Sequence, residues 1–266
     1  MDTRALLAAI VAAAVGGAAL AAGAPPAGDY VAIPGGSFKS VLKYEDSDRV
    51  GVKPFAIMRR PVTNAEFLAF VKANPEWQRG RVPVLFAESR YLQSWQGALL
   101  PGRNAQAQQP VVDVSWFAAQ AYCEAQGARL PTWSEWEYVA AADATRRDAR
   151  RDPAWREQIL GWYSRPSTTP LAPVASGRAN VYGVHDMHGL VWEWTEDYAS
   201  MLVSSDSRDQ KATDRMKFCG AGAIATDDKE NYAVLMRIAM LSALEGADIT
   251  ANLGFRCAKP LPGKQP

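Results

Sequence analysis

Three cysteines are the residues of this chain best suited to redox or thiolate chemistry. They are Cys123, Cys219 and Cys257, an odd number. In an oxidising compartment the simplest count is one disulfide and one remaining thiol. A remaining thiol can be a reactive nucleophile or a small buried apolar group, and both interpretations stay open at this point.

The chain has two histidines, His185 and His188, three positions apart. This spacing invites a transition-metal site with Glu193 as a further ligand. Because a third histidine is missing, packing or surface histidines are the favoured interpretation, and the common kinds of zinc site are not expected. Nine Trp and nine Tyr indicate instead a core of large aromatic side chains, to which Trp192 and Trp194 are assigned.

The first residues have the pattern of an export signal. Arg4 precedes an apolar stretch over 5–22, and an Ala-Gly-Ala sequence ends at Ala24. The alternative is an uncleaved membrane anchor, since the stretch approaches the ~20 residues that span a bilayer. Its Ala and Gly content favours cleavage near Ala22 or Ala24. We therefore expect a signal peptide over 1–24 and a periplasmic or secreted mature chain over 25–266, without stable membrane insertion.

Opposite charges nearly cancel, with 29 Lys and Arg against 28 Asp and Glu. No basic stripe with interleaved aromatic residues is present, so a nucleic-acid partner is not expected. The run of Asp and Arg over 143–156 is typical of a solvated helix or loop. The mature chain is long enough to form one large domain with a core of its own.

Three segments carry helix-start signals. Asn64, Ser115 and Thr132 are placed as N-caps, and Thr132 forms a capping-box pattern with Glu135. The predicted helices cover 65–71, 116–126 and 133–142.

The remaining segments are short and irregular. A hairpin is expected to start over 30–38, where two apolar runs flank a Pro-Gly-Gly turn. Residues 78–109 are predicted to be mostly loop, 227–244 to be a helix or a strand, and 252–257 a short strand. Isolated helices among short strands and long loops predict an α+β fold rather than a doubly wound sheet.

Five collinear segments resemble the formylglycine-generating (sulfatase-modifying) enzyme family. They include the sequences IPGGSF, GVHDMHG and NLGFRC, and they cover nearly the whole mature chain in the family's order. The segments are 33–38, 61–67, 110–116 with 121–123 and 129–132, 183–189 with 191–195, and 252–257.

The resemblance implies a single sulfatase-modifying-factor-like domain with C-type-lectin-like topology and little regular secondary structure. It also implies a structural disulfide between Cys123 and Cys257.

The resemblance further implies one structural calcium ion. The matching ligand positions are Asp186, Gly189, Val191 and Glu193, a mixture of carboxylates and backbone carbonyls that suits calcium. The alternative is that Asp186 and Glu193 only cap turns. The family's second calcium site is not expected, because the connection over 164–176 is too short.

The chain departs from the family where catalysis would occur. Formylglycine generation uses two nearby cysteines that hold copper as thiolates, and soft sulfur ligands suit Cu(I). Residues 220–256 contain no cysteine, so copper is not expected. Cys219 is the candidate catalytic residue, beside a Gly-Ala-Gly turn, and an inert buried thiol there is equally compatible. The polar residues 227–231 could perform acid/base chemistry or begin a helix.

These observations favour an exported formylglycine-generating-enzyme-like protein without that activity, acting on or maturing a periplasmic metabolite or protein. The second hypothesis is a non-catalytic accessory or binding protein for a periplasmic enzyme. The segment around Cys219 resembles accessory proteins associated with copper nitrite reductase. The third hypothesis is a true formylglycine-generating oxidase. The partner would be a periplasmic protein or a small molecule that the sequence does not identify.

Overall fold

A three-stranded antiparallel sheet joins the two ends of the described chain. The computed structural model describes residues 28–44, 47–165, 170–199 and 232–261. Strand β1 (Tyr30–Ile33) pairs with β4 (Phe55–Met58), which pairs in turn with β9 (Ala258–Pro260). The predicted signal peptide, Cys219 and the polar residues 227–231 lie outside the described residues.

The predicted hairpin over 30–38 is wrong in its pairing. Strand β2 (Gly36–Tyr44) pairs with β3 (Ser47–Val52) and not with β1. The Pro-Gly-Gly turn passes the chain from one sheet to another, with Gly35 at φ 70°. A Cβ on Gly35 would lie 2.4 Å from the carbonyl oxygen of Val52, so the close approach of β3 requires glycine.

The three predicted helices are present, and one cap differs from its prediction. Helix α1 covers Asn64–Ala73, α2 covers Trp116–Ala125 and α3 covers Trp133–Ala140. Ser115 caps α2 and Thr132 forms the capping box with Glu135, as predicted. In α1 the cap is Thr63, whose capping box with Glu66 leaves the Asn64 side chain available for other contacts.

Asn64 joins α1 to the long loop that follows it. Its amide nitrogen donates to the carbonyls of Gln109 and Pro110, and its amide oxygen accepts from the Trp95 indole at 2.9 Å. The segment over 78–109, predicted to be mostly loop, contains the two short strands β5 (Trp95–Gly97) and β6 (Leu100–Pro101). Buried polar groups of this kind hold an irregular segment in place without a sheet.

Two further helices pack against each other. Helix α4 covers Pro153–Tyr163 and follows the charged run, in which Arg146 pairs with both Asp143 and Asp152. Helix α5 covers Tyr232–Ser242. Its buried residues are Val234, Arg237, Ile238 and Leu241. These positions follow the i, i+3, i+4, i+7 pattern, so the helical alternative for this segment is correct.

The core is built from aromatic rings contributed by distant segments. The Tyr122 ring of α2 lies 5.9 Å from Phe67 of α1 and 5.3 Å from Phe255 near the C-terminus, measured between centroids. Edge-to-face and offset contacts of this kind stabilise a core beyond the area they bury. The fold is α+β with little regular secondary structure, as predicted, and no helix in the described ranges is long and apolar enough to cross a membrane.

A disulfide joins Cys123 to Cys257, with their Cα atoms 5.5 Å apart. Both residues are fully buried, one on α2 and the other just before β9. Their separation in sequence is 134 residues in a chain of 266, so the bond closes about half of the chain into one loop.

Removing this cross-link should destabilise the fold. We expect the double substitution Cys123→Ala, Cys257→Ala to lower the free energy of unfolding by about 2–5 kcal/mol, because the unfolded chain gains conformational entropy. Urea unfolding without reductant measures the loss. Cys219→Ser, which keeps both bonded sulfurs, is the matched thiol control. Equal unfolding midpoints for wild type and the double variant would contradict a stabilising role for the bond.

Candidate functional site

The segment over 183–195 meets the C-terminal segment through a short parallel pairing. Strand β7 (Trp192–Glu193) pairs with β8 (Leu253–Gly254), with Glu193 opposite Gly254. A Cβ on Gly254 would lie 2.6 Å from the carbonyl oxygen of Val111, so glycine is needed where β8 passes the backbone of Val111. The pairing brings two of the five segments that carry the resemblance into one site.

A buried ion pair lies at the centre of this site. The Nε and Nη2 atoms of Arg256 donate to the two carboxylate oxygens of Glu193 at 2.8 and 2.7 Å. Both side chains have 0% exposure. The Trp136 indole of α3 adds a third hydrogen bond to Glu193, at 2.9 Å. The side-on geometry fixes the planes of both groups.

Arg256 also fixes the surrounding backbone. Its guanidinium donates to the carbonyl oxygens of Met58, His185 and Asp186 at 3.3, 3.0 and 3.3 Å. One side chain therefore holds strand β4, the 185–186 turn and β7 in a common arrangement. In the sequence, Arg256 stands out only as a member of the NLGFRC segment, without an assigned role.

The four predicted calcium ligands lie on this same loop. Asp186 has φ 56° and Gly189 has φ 90°. Burial raises the pKa of Asp186, and the nearby charge of Glu193 acts in the same direction. Asp186 Oδ2 accepts from the amide of Ala175 at 2.6 Å, eleven residues away. Asp186 therefore bridges two loop segments rather than only capping its own turn.

The donor set fits a hard cation. Two carboxylates close enough to repel each other, one of them desolvated, favour a bound positive charge. Glu193 Oε1 receives its hydrogen bond from Arg256 and, as a carboxylate oxygen, can accept a further ligand. The carboxylates of Asp186 and Glu193, with the carbonyls of Gly189 and Val191, are the groups that would hold the ion.

His188 is a packed residue with both ring nitrogens in use. Its Nε2 lies 2.9 Å from the carbonyl oxygen of Ala140, so Nε2 carries the proton. Burial lowers the pKa of His188 to about 4, so the ring is neutral near pH 7. The unprotonated Nδ1 accepts from the Tyr163 hydroxyl at 3.2 Å. The rings of Trp136 and Trp155 lie 5.7 Å away on centroid distance.

His185 is partnered as well, with Nδ1 2.8 Å from the carbonyl oxygen of Gly177. Within the described ranges, no three His, Cys, Asp or Glu side chains lie together as a metal-binding group. Trp194 is fully buried and donates its indole N–H to the carbonyl of Val114, which agrees with its assignment to the core.

Arg237 is a site residue that sequence reasoning missed. Its guanidinium carbon lies 3.7 Å from the ring centroid of Trp136 and 5.4 Å from that of Trp192. The side chain is fully buried, and burial lowers its pKa. It interacts electrostatically with the Tyr163 hydroxyl, while Nε and Nη2 have no hydrogen-bond partner among the described residues. An arginine at a buried position of an otherwise apolar helix face is the signal that could have found it.

A cavity of about 440 Å³ opens beside these residues. Its wall includes Trp162 and Tyr163 of α4, Trp192 of β7, Arg165 and Asn252. Aromatic walls with a few polar groups are typical of small-ligand sites.

The Glu193–Arg256 pair should be costly to break from one side. We expect Glu193→Leu to lower the free energy of unfolding by about 3–5 kcal/mol in calcium-free buffer, because Arg256 is left buried and uncompensated. The double variant Glu193→Leu, Arg256→Met should lose less than the single one. Thermal and urea unfolding provide the measurement.

Asp29→Ala is the control, since its pair with Arg59 is exposed and should contribute less than about 1 kcal/mol. The loss of unfolding free energy in the double variant is compared with the losses in Glu193→Leu and in Arg256→Met alone. A double-variant loss equal to their sum would contradict the expected coupling.

Comparison with known proteins places this site in a family. Residues 18–261 match the sulfatase-modifying factor enzyme 1-like domain. The inactive C-alpha-formylglycine-generating enzyme 2 of Bos taurus is 30% identical over 274 residues, covering 86% of this chain and 87% of that protein. The formylglycine-generating enzyme of Streptomyces coelicolor is 32% identical over 250 residues, covering 79% of each protein.

A solved structure of PvdO from Pseudomonas aeruginosa is similar at 22% identity and a TM-score of 0.46, covering 87% of this chain and 94% of that one. The family match extends through the β7 loop, the β8 pairing and both disulfide cysteines. By this match and these relatives, the chain belongs to the sulfatase-modifying factor, or formylglycine-generating-enzyme-like, family.

Proposed function

We propose that this chain is an exported family member that does not generate formylglycine and instead acts on or matures a periplasmic metabolite or protein. The observation that carries the proposal is its sulfur content. Cys123 and Cys257 are joined to each other, which leaves Cys219 as the remaining cysteine of the sequence.

Copper held by two thiolates does not fit this donor set. Cu(I) sites of that kind need two soft sulfur ligands close together, and residues 220–256 contain no cysteine. The histidines do not replace the missing ligand, since both nitrogens of His188 and Nδ1 of His185 already have partners. Oxidation through a thiolate pair is therefore absent from the proposed mechanism.

Ligand binding remains compatible with the structure. The cavity beside Tyr163 and Trp192, about 440 Å³, falls within the size range of small-molecule sites. Relatives of similar identity include one named inactive and one named as an enzyme. Membership of the family therefore leaves room for a retained scaffold with altered chemistry.

An accessory or binding role is the second candidate. Val84 and Leu85 are 81% and 72% exposed, and Phe86 beside them is also exposed. Contiguous apolar side chains of this kind are often contact sites for other proteins. A periplasmic enzyme such as copper nitrite reductase would be the partner in this case. Co-elution of the two purified proteins, abolished by Leu85→Ser, would favour this role over the first.

Formylglycine generation should be absent. We expect no aldehyde when a Cys-x-Pro-x-Arg peptide is incubated in air with the purified chain and copper, because the thiolate pair is missing. Mass spectrometry of the peptide detects the conversion, and the Streptomyces coelicolor enzyme run in parallel is the positive control. Aldehyde formation that disappears in Cys219→Ser would overturn the proposal.

Calcium should stabilise the protein through the β7 loop. We expect calcium at a hundredfold excess over its Kd to raise the free energy of unfolding by about 2.7 kcal/mol, because it binds the folded state alone. Asp186→Asn should lose most of this gain, whereas Glu157→Gln on the exposed side of α4 should keep it. Unfolding in calcium and in EDTA measures the effect, and identical curves for wild type would exclude the site.

A further inference from the structure

Arg237 combines full burial with two unsatisfied donors. It has 1% exposure, and its Nε and Nη2 atoms have no hydrogen-bond partner in the part of the chain that the structure describes. A buried charged group without acceptors is strongly destabilising, so such groups are normally paired. The Trp136 ring at 3.7 Å offsets part of this cost through cation–π attraction. An indole face accepts no conventional hydrogen bond from the edge of the guanidinium.

The nearby acids do not supply the missing acceptor. Glu193 attracts Arg237 electrostatically, but its carboxylate binds the Nε and Nη2 edge of Arg256 and the Trp136 indole. The carboxylate of Glu193 is therefore committed to Arg256 and leaves the Nε and Nη2 edge of Arg237 without an acceptor among the described residues.

We propose that the Nε and Nη2 edge of Arg237 binds a carboxylate group of a ligand that enters through the cavity lined by Tyr163 and Trp192. In this protein the Nε and Nη2 atoms of Arg256 each bind one carboxylate oxygen of Glu193. Arg237 would bind the carboxylate of the ligand with the same pair of atoms. Planar, bidentate pairing is the arrangement in which arginine recognises carboxylates most specifically.

The cavity lies next to Arg237, which is not itself part of the cavity wall, so the carboxylate would pass between Tyr163 and Trp192 to reach this edge. Tyr163 and Trp192 both line the cavity and both contact Arg237. The Tyr163 hydroxyl donates to His188 Nδ1, and its oxygen interacts electrostatically with Arg237. Arg165, which also lines the cavity, adds a second positive charge that attracts anions to it. The aromatic wall suits an apolar group next to the carboxylate.

Three small probes test this assignment on the full chain. Benzoate presents a planar carboxylate on an aromatic ring, benzamide is its neutral counterpart, and phenylphosphonate is a tetrahedral anion. We expect benzoate, at constant ionic strength, to shift the Arg237 Nε–H and Trp192 indole N–H signals saturably in ¹H–¹⁵N spectra. Benzamide and phenylphosphonate should bind at least about tenfold more weakly, a factor equivalent to ~1.4 kcal/mol.

Arg237→Lys is the variant that isolates the bidentate edge, because it keeps a positive charge and removes the planar fork. It should weaken benzoate binding at least about tenfold, whereas Arg178→Lys, a change of the same kind away from Arg237, should leave it unchanged. If Arg237→Lys does not fold, the binding of the three probes to the wild type tests the carboxylate site by itself. Absence of saturable benzoate binding, or tighter binding of phenylphosphonate, would overturn the proposal.

A crystal structure of the wild type gives an independent answer. If that structure shows oxygen atoms of the chain itself bound to both Nε and Nη2 of Arg237, the proposed carboxylate site is wrong. The carboxylate site does not depend on whether the protein oxidises cysteine. Aldehyde formation in the peptide assay would therefore leave this inference standing, and failure of benzoate binding would leave the absence of formylglycine generation untouched.

Discussion

The buried pair between Glu193 and Arg256 is the interaction on which the rest of the site depends. Two fully buried charges are stable only when their hydrogen-bonding capacity is well used, and here Arg256 meets both Glu193 oxygens and three backbone carbonyls. Those carbonyls belong to β4 and to the turn that carries Asp186. The pair therefore determines where a loop with little regular structure lies, and with it the positions of the residues proposed to bind calcium. The disulfide acts close by, since Cys257 directly follows Arg256.

This arrangement leaves two donor atoms of Arg237 without an acceptor among the described residues. Glu193 neutralises one guanidinium, and the second lies among Trp136, Trp192 and Tyr163. The residues that surround it are thus suited to contact a ligand, while the residues around Arg256 are suited to maintain the fold. The two arginines interact with the same acid, Glu193, yet their different hydrogen bonding gives them different roles.

Local signals in the sequence predicted much of the fold, and long-range contacts explain the misses. The caps at Ser115 and Thr132 depend on residues within one helical turn, and both were placed correctly. Asn64 was assigned as a cap because its type suits one. Thr63 takes that role, and the Asn64 amide instead binds a loop more than forty residues away. The two apolar runs that flank the turn at Gly35 are both strands. The partner of β1, however, is β4, which could not be inferred from the adjacent turn. Arg237 was missed because the helix and strand patterns of its segment were equally compatible with the sequence.

The interactions that maintain the fold are separate from the sulfur atoms that formylglycine generation requires. The ion pair, the aromatic contacts of Tyr122 and the Cys123–Cys257 bond all form without a second free thiol. None of these three interactions requires a thiolate pair within residues 220–256. A chain can then lose the oxidation while it keeps the loop that suits calcium and the cavity beside it. The positive charge of Arg237 directs what such a cavity can bind, because an anion is the ligand that lowers the cost of burying it.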